Sequence, residues 1–133
     1  MEQQSLKPYS YKREIALSFA DAVIKTKEEL AKEGFGILTE IDVQATLKKK
    51  LNVDYENYTI IGACNPPFAY NALRTEKEIG LFLPCNVIVY VDGGNTFVSA
   101  ILPTVAMGSI GNPVLSTIAH TVEEKLKKVV DSM

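Results

Sequence analysis

Asn86 to Leu102 reads NVIVYVDGGNTFVSAIL, two apolar, β-branched runs on either side of Asp92-Gly93-Gly94-Asn95. Paired glycines supply the positive φ angles of a tight hairpin turn, so this segment predicts two adjacent antiparallel strands. Side chains alternate between the two faces of a strand. Val87, Val89 and Val91 take one face, while Ile88 and Tyr90 take the other. Phe97 and Ile101 alternate in the same way with Val98, Ala100 and Leu102. The hairpin is therefore apolar on both sides, and helices packed on one side only would leave an apolar face open. Either helices cover both faces or a second copy of the chain covers one. Two-fold dimers are the commonest oligomers, and a homodimer is expected.

The rest of the chain surrounds this hairpin with alternating periods. YKREIAL (Tyr11–Leu17) reads as a first strand. Ser18 is an N-cap, and Phe19, Ala22, Val23, Leu30 and Ala31 form the apolar stripe of a helix that Gly34 ends as a left-handed residue. FGILTEI (Phe35–Ile41) alternates as a strand, with Phe35, Ile37, Thr39 and Ile41 on one face and Glu40 on the other. Asp42 caps a short helix bearing Val43, Leu47 and Leu51. YTIIGAC (Tyr58–Cys64) is rich in β-branched and aromatic residues and reads as a strand. Asn65 and Pro66 suit the N-cap and first turn of a helix holding Phe68, Ala69, Ala72 and Leu73. KEIGLFLPC (Lys77–Cys85) reads as a loop. After the hairpin comes a loop with Gly and Pro, and then Asn112-Pro113 opens a last helix with the stripe Leu115, Ile118, Val122, Leu126 and Val129.

The element order is β-α-β-α-β-α-β-β-α. It predicts an α+β fold in which a single-layer sheet of about four to five strands, mainly antiparallel or mixed, packs with helices. No Gly-x-Gly-x-x-Gly or phosphate-binding loop follows any strand, which argues against a doubly wound nucleotide-binding fold.

With 133 residues, the chain suits one domain, positions 1–133, with residues 1–9 as a polar segment expected to fray. The formal charge is −2, and the short runs Lys48-Lys49-Lys50 and Lys127-Lys128 have acidic neighbours. That balance disfavours nucleic-acid binding. The most apolar window, FVSAILPTVAMGSIG, is broken by Pro103, Gly108 and Gly111, so no membrane span is expected. With no signal-peptide pattern and only two cysteines, the expectation is a cytoplasmic protein with reduced thiols.

Candidate chemistry centres on GACNPPFAYNALR (Gly62–Arg74). Cys64 lies just before a helix start, where free N–H groups favour an anionic sulfur; the alternative is a small filler at the end of a buried strand. Cys85 follows Pro84 at the start of another strand. If the two strands are neighbours, both sulfurs lie at one end of the sheet, where they could bind a metal, flank a ligand or form a redox pair. Glu40 and Asp42 end a strand on one face, and one possibility is that they meet the cysteines in a shared pocket. His120, the only histidine, falls off its helix's apolar stripe and is expected at the surface, which disfavours a Cys–His nucleophile pair. Arg74 is expected to solvate a helix end. Tyr58, Tyr70 and Tyr90 fit a half-buried sheet as well as they fit a pocket.

EGFGILTEIDVQATLKKKL and YTIIGACNPPFAYNALRTEKEIGLFLPCNVIVY together resemble the domain of unknown function 302 family. Gly34-Phe35, Glu40-Ile41-Asp42, Cys64-Asn65-Pro66 and Leu83-Pro84-Cys85 carry the resemblance, in order, across roughly Tyr9 to Val130. The resemblance implies a small α+β domain, often dimeric, with no established common activity. The site to expect is therefore Cys64, Asn65 and Cys85 with Asp42 or Glu40 nearby, binding a small molecule or metal ion, with Cys64 and Cys85 as the metal candidates. The alternatives are a thiol-dependent redox protein using Cys64 and Cys85, and a structural or regulatory homodimer whose cysteines are core filler. No cofactor and no catalytic set is defined.

Overall fold

The computed structural model describes residues 8–133. The elements are β1 (Ser10–Ile15), α1 (Phe19–Lys32), β2 (Gly36–Asp42), α2 (Val43–Leu51), β3 (Tyr58–Cys64) and α3 (Pro66–Thr75). A 3-10 helix over Lys77–Phe82 follows, and then β4 (Cys85–Asp92), β5 (Asn95–Ile101), α4 (Pro103–Ala106) and α5 (Pro113–Asp131). The strands form one sheet in the order β1-β5-β4-β3-β2, antiparallel throughout. Most of the segment expected to fray, residues 1–7, lies outside the described residues. Pro8 and Tyr9 form a turn, and the Tyr9 carbonyl accepts from the Leu102 N–H at 2.9 Å.

Local chemistry sets most of the boundaries. Gly93 and Gly94 take φ values of 59° and 86°, closing the β4–β5 hairpin with Asp92 opposite Asn95. The Ser18 side chain accepts from the Asp21 N–H, Asp42 from Ala45, and Asn112 from Val114 and Leu115, each capping a helix. Gly34 is left-handed at φ 86°, as expected where α1 stops. Two segments that read as loops carry helix instead. Lys77–Phe82 buries Ile79, and Pro103–Ala106 buries Pro103. Elements of four to six residues are too short to display a period, so the sequence pattern does not reveal them.

The strand pairing divides the sheet into two faces. Thr59, Ile61 and Ala63 on β3 lie beside Val89, Val87 and Cys85 on β4, and Val98 and Ala100 on β5 continue that side. This face holds the main core, where α1 and α5 seat Ala22, Leu30, Val122, Leu126 and Val129 against the strands. Complete burial of an aliphatic chain such as Leu30 stabilises the fold by about 1.5–3 kcal/mol. The opposite face carries Tyr58, Ile60, Ile88, Tyr90 and Phe97, and among the described residues Ile60, Ile88 and Tyr90 belong to no core cluster. Tyr58, Tyr90 and Phe97 stack across three strands with centroids 5.4 Å apart, and the Lys12 ammonium sits 4.5 Å from the Phe97 ring centre.

Edge strand β2 departs from simple alternation. Ile37 pairs with Ala63 and Thr39 with Gly62, leaving Leu38 as the extra residue of a bulge. Ile37 and Ile41 therefore point to opposite faces, and Glu40 shares the helix side, where it pairs with Lys27. A bulge and a charged pair also blunt an exposed edge against further strand pairing.

Gly62 lies beneath this strand. A Cβ there would run into the Thr39 hydroxyl and come within 2.9 Å of Pro84 Cγ. Thr39 can rotate, but the Pro84 ring has little freedom to yield. Gly62→Ala is expected to destabilise the fold by about 1–3 kcal/mol through overpacking, read as a lower urea midpoint. An unchanged midpoint would show that the strand yields there.

Candidate functional site

Ala63 pairs with Cys85, so β3 delivers Cys64 and β4 delivers Cys85 to the same end of the sheet. Strand adjacency, on which the sequence reading was conditional, is met. Both cysteines are free thiols; Cys85 is buried and Cys64 half-buried. Together they line a cavity between the sheet end, α3, α4 and α5, walled otherwise by apolar groups such as Phe35, Phe68, Ile79 and Leu115. The room inside is about 30 Å³, enough for a couple of water-sized groups. Pockets for drug-sized molecules run roughly ten times larger or more.

Burial, and secondarily the neighbouring Cys64, pushes the Cys85 thiol up to about 11. Cys85 is thus a neutral thiol at pH 7 and a weak nucleophile. Thiol titration of native protein at pH 8 is expected to show one fast group, Cys64, with Cys85 reacting only on denaturation. Two fast thiols would contradict the burial.

Asn65 occupies the N-cap position of α3, but its side chain makes no capping bond. Its Nδ2 instead donates to the Glu33 carbonyl at 3.0 Å, tying the end of α1 to the start of α3. Gly34 leaves room for that contact, since a Cβ there would stand 3.3 Å from Nδ2. Pro66 and Pro67 fill the first two helical positions and carry no N–H, so the α3 terminus offers an anion fewer donors than the sequence reading assumed.

The carboxylates do not join the cysteines. Gly36 pairs with Cys64 and Asp42 with Thr59, five residues further along β3, so Asp42 sits roughly 17 Å from Cys64 along the strand. Asp42 caps α2 by accepting from the Ala45 N–H at 2.9 Å, and Glu40 is engaged by Lys27. Both were candidates because they end a strand, but antiparallel pairing with β3 carries them to the opposite end of the sheet. Among the described residues no three His, Cys, Asp or Glu side chains gather as a metal-binding group. His120 is exposed, and the Arg74 guanidinium lies 5.3 Å from the centre of the exposed Tyr70 ring. Tyr58 and Tyr90 stack on the open sheet face, away from the cavity.

Sequence reasoning missed Met107, the residue after α4, which is among those lining the cavity. That turn is held by Glu123, which accepts from the Thr104 N–H at 3.0 Å and the Thr104 hydroxyl at 2.7 Å. The only signal was an apolar residue in a glycine-bearing loop, which is weak.

Phe35, Cys64, Asn65, Leu83 and Cys85 all line this one cavity, so three separated sequence motifs meet in space. A five-stranded antiparallel sheet packed with helices, with a cavity at one end, defines a small α+β protein. The chain belongs to the family described as Domain of unknown function DUF302, which it matches over residues 11–133. It is similar to the crystal structure of an uncharacterized conserved protein DUF302 from Bacillus stearothermophilus, at 29% identity and a TM-score of 0.88. That likeness covers 94% of this chain and 98% of the other. No curated protein matches the chain. No helix among the described residues is long and apolar enough to cross a membrane.

Proposed function

We propose that this protein binds a small ligand, of the size of a metal ion, in the cavity between Cys64 and Cys85. The observation that carries this is that Cys64 and Cys85 are both among the residues lining one apolar cavity of about 30 Å³. Asn65 supports the site by fixing the helix start beside Cys64, while Glu40 and Asp42 take no part in it. The redox alternative is weaker, because a buried thiol displaced to about 11 is a poor partner in exchange. Native mass of freshly purified protein tests the proposal. The expected result is an added mass that a chelator removes, with Cys64 then titratable in the native protein and Cys85 only on denaturation. Ligand-free protein, with Cys64→Ser and Cys85→Ser changing stability alone, would return the cysteines to core filler.

A second reading concerns assembly. On the sheet face opposite α1 and α5, Ile60, Ile88 and Tyr90 belong to no core cluster among the described residues, and Lys12 and Glu14 on neighbouring β1 face the same side. A second copy related by a two-fold axis would bury this face. This reading is a homodimer through this face.

A further inference from the structure

The cavity lies on a seam between two cores. Ala72, Ile79 and Leu115 form a second, smaller core, with Met107, Ile110 and Ile118 packed against it. Members of that core line the cavity together with Ala63, Cys85 and Val122 of the main core, so the void stands between the two clusters. Atoms that line a void lose the contacts they would make across it. Such a seam is a place where the fold opens locally at less cost than it unfolds.

Residues 103–111 connect β5 to α5, and Met107 brings this connection into the cavity's lining. The N–H groups of Val105, Ala106, Met107, Gly108 and Ile110 donate to carbonyls between Leu102 and Met107, inside the segment's own turn. Among the described residues, two hydrogen bonds tie residues 104–111 to another element. Both run from Thr104 to one oxygen of Glu123 on α5, the N–H at 3.0 Å and the hydroxyl at 2.7 Å. Glu123 is buried, and its other oxygen lies 3.7 Å from the Lys127 ammonium. The near end of the segment is fixed, since Pro103 is buried and the Leu102 N–H donates to the Tyr9 carbonyl. Gly111, left-handed at φ 74°, stands at the far end, and Val105, Gly108 and Ser109 between them are exposed.

We infer that residues 103–111 are the gate of the cavity and that the Glu123 carboxylate on Thr104 is its latch; what the gate admits rests on the ligand-binding proposal above. With the latch made, the α4 turn is fixed in direction and Met107 completes the lining. With it broken, the turn swings away between Leu102 and Gly111, and Met107 and Ile110 leave the second core. The turn moves intact, because its own carbonyls satisfy its N–H groups, so opening strands no backbone donor. Thr104 and Glu123 exchange their mutual bonds for water, and Glu123 keeps Lys127 beside it.

Methyl relaxation dispersion on the full chain tests the gate, with xenon as the cavity probe because dry apolar cavities take it up. The expected result is microsecond-to-millisecond exchange at the Met107 methyl and none at Met133, which packs on the main core and whose sulfur accepts from the Thr26 hydroxyl. Thr104→Val removes a hydroxyl bond to a carboxylate and is expected to raise the open population about tenfold, with xenon entering faster by the same factor. Thr104→Ser keeps that bond and should behave as the unaltered protein. Circular dichroism of each variant reports folding separately. Thr104→Ser opening as readily as Thr104→Val would overturn the latch. Faster exchange at Met107 with xenon entry unchanged would overturn the gate while leaving a ligand site in place. Xenon excluded from every variant would overturn the gate and the ligand site together.

Discussion

Ile88→Glu is expected to convert the proposed dimer into a folded monomer. Ile88 stands at the middle of the sheet face opposite α1 and α5, beside Ile60 on β3 and Ser99 on β5, and is half-buried in the single chain. In a two-fold assembly through this face it becomes fully desolvated. A carboxylate there would lose its water without gaining a partner, a penalty of several kcal/mol per ion. Central interface positions of this kind cost about 2 kcal/mol or more when altered, at least roughly thirtyfold in dissociation constant. The isolated chain should hardly register the change, since half-exposed surface substitutions stay within about 0.5 kcal/mol. Sedimentation at about 10 μM is expected to give twice the chain mass for the unaltered protein and the single chain mass for the variant, a separation that needs a dimer of roughly micromolar affinity or better. Ile24→Glu, on the outer side of α1 at 56% exposure, serves as the control and should leave the dimer intact. A monomeric unaltered protein, or a variant that stays dimeric, would remove the open face as the interface.

How far the sequence foretold this molecule depended on the range of the interaction involved. The Gly93-Gly94 turn and the caps at Ser18, Asp42 and Asn112 are settled within a few residues, so they were legible. Asn65 has the same local signature, Asn before Pro, yet its side chain turns to Glu33, 32 positions away, because a tertiary partner outcompetes the local cap. The bulge at Leu38 inserts no residue that a pattern could flag, and it reverses the face of everything after it. Two cysteines 21 positions apart met only because β3 and β4 are neighbours in the sheet, and the same antiparallel pairing sent Asp42 to the far end. Chain order alone does not fix such neighbours. Met107 was illegible for the further reason that a four-residue helix shows no period.

Asn65 itself is the clearest place to separate scaffold from ligand chemistry. Asn65→Ala is expected to lower unfolding free energy by about 1 kcal/mol, the net worth of a part-buried hydrogen bond, here the one the Glu33 carbonyl accepts from Nδ2 at 3.0 Å. Loosening the α1–α3 seam should also speed alkylation of Cys64, which immediately precedes it. Asn65→Asp is the sharper variant. At pH 7 its carboxylate has no hydrogen to donate and faces the Glu33 carbonyl in a buried position, so it should be less stable than the alanine variant. Burial and the facing carbonyl would raise the folded-state pKa of that carboxyl above its unfolded value of about 3.9. The folded state then binds the proton more tightly, so the deficit is largest above the folded pKa and shrinks as pH falls through it toward the unfolded value. Below that range the protonated oxygen can donate as the amide did. Urea midpoints of the three proteins at pH 7 and about pH 4 read this directly. If Asn65→Ala lies within about 0.5 kcal/mol of the unaltered protein, the bond to Glu33 does not hold the seam, and the placement of Cys64 must rest on apolar packing alone.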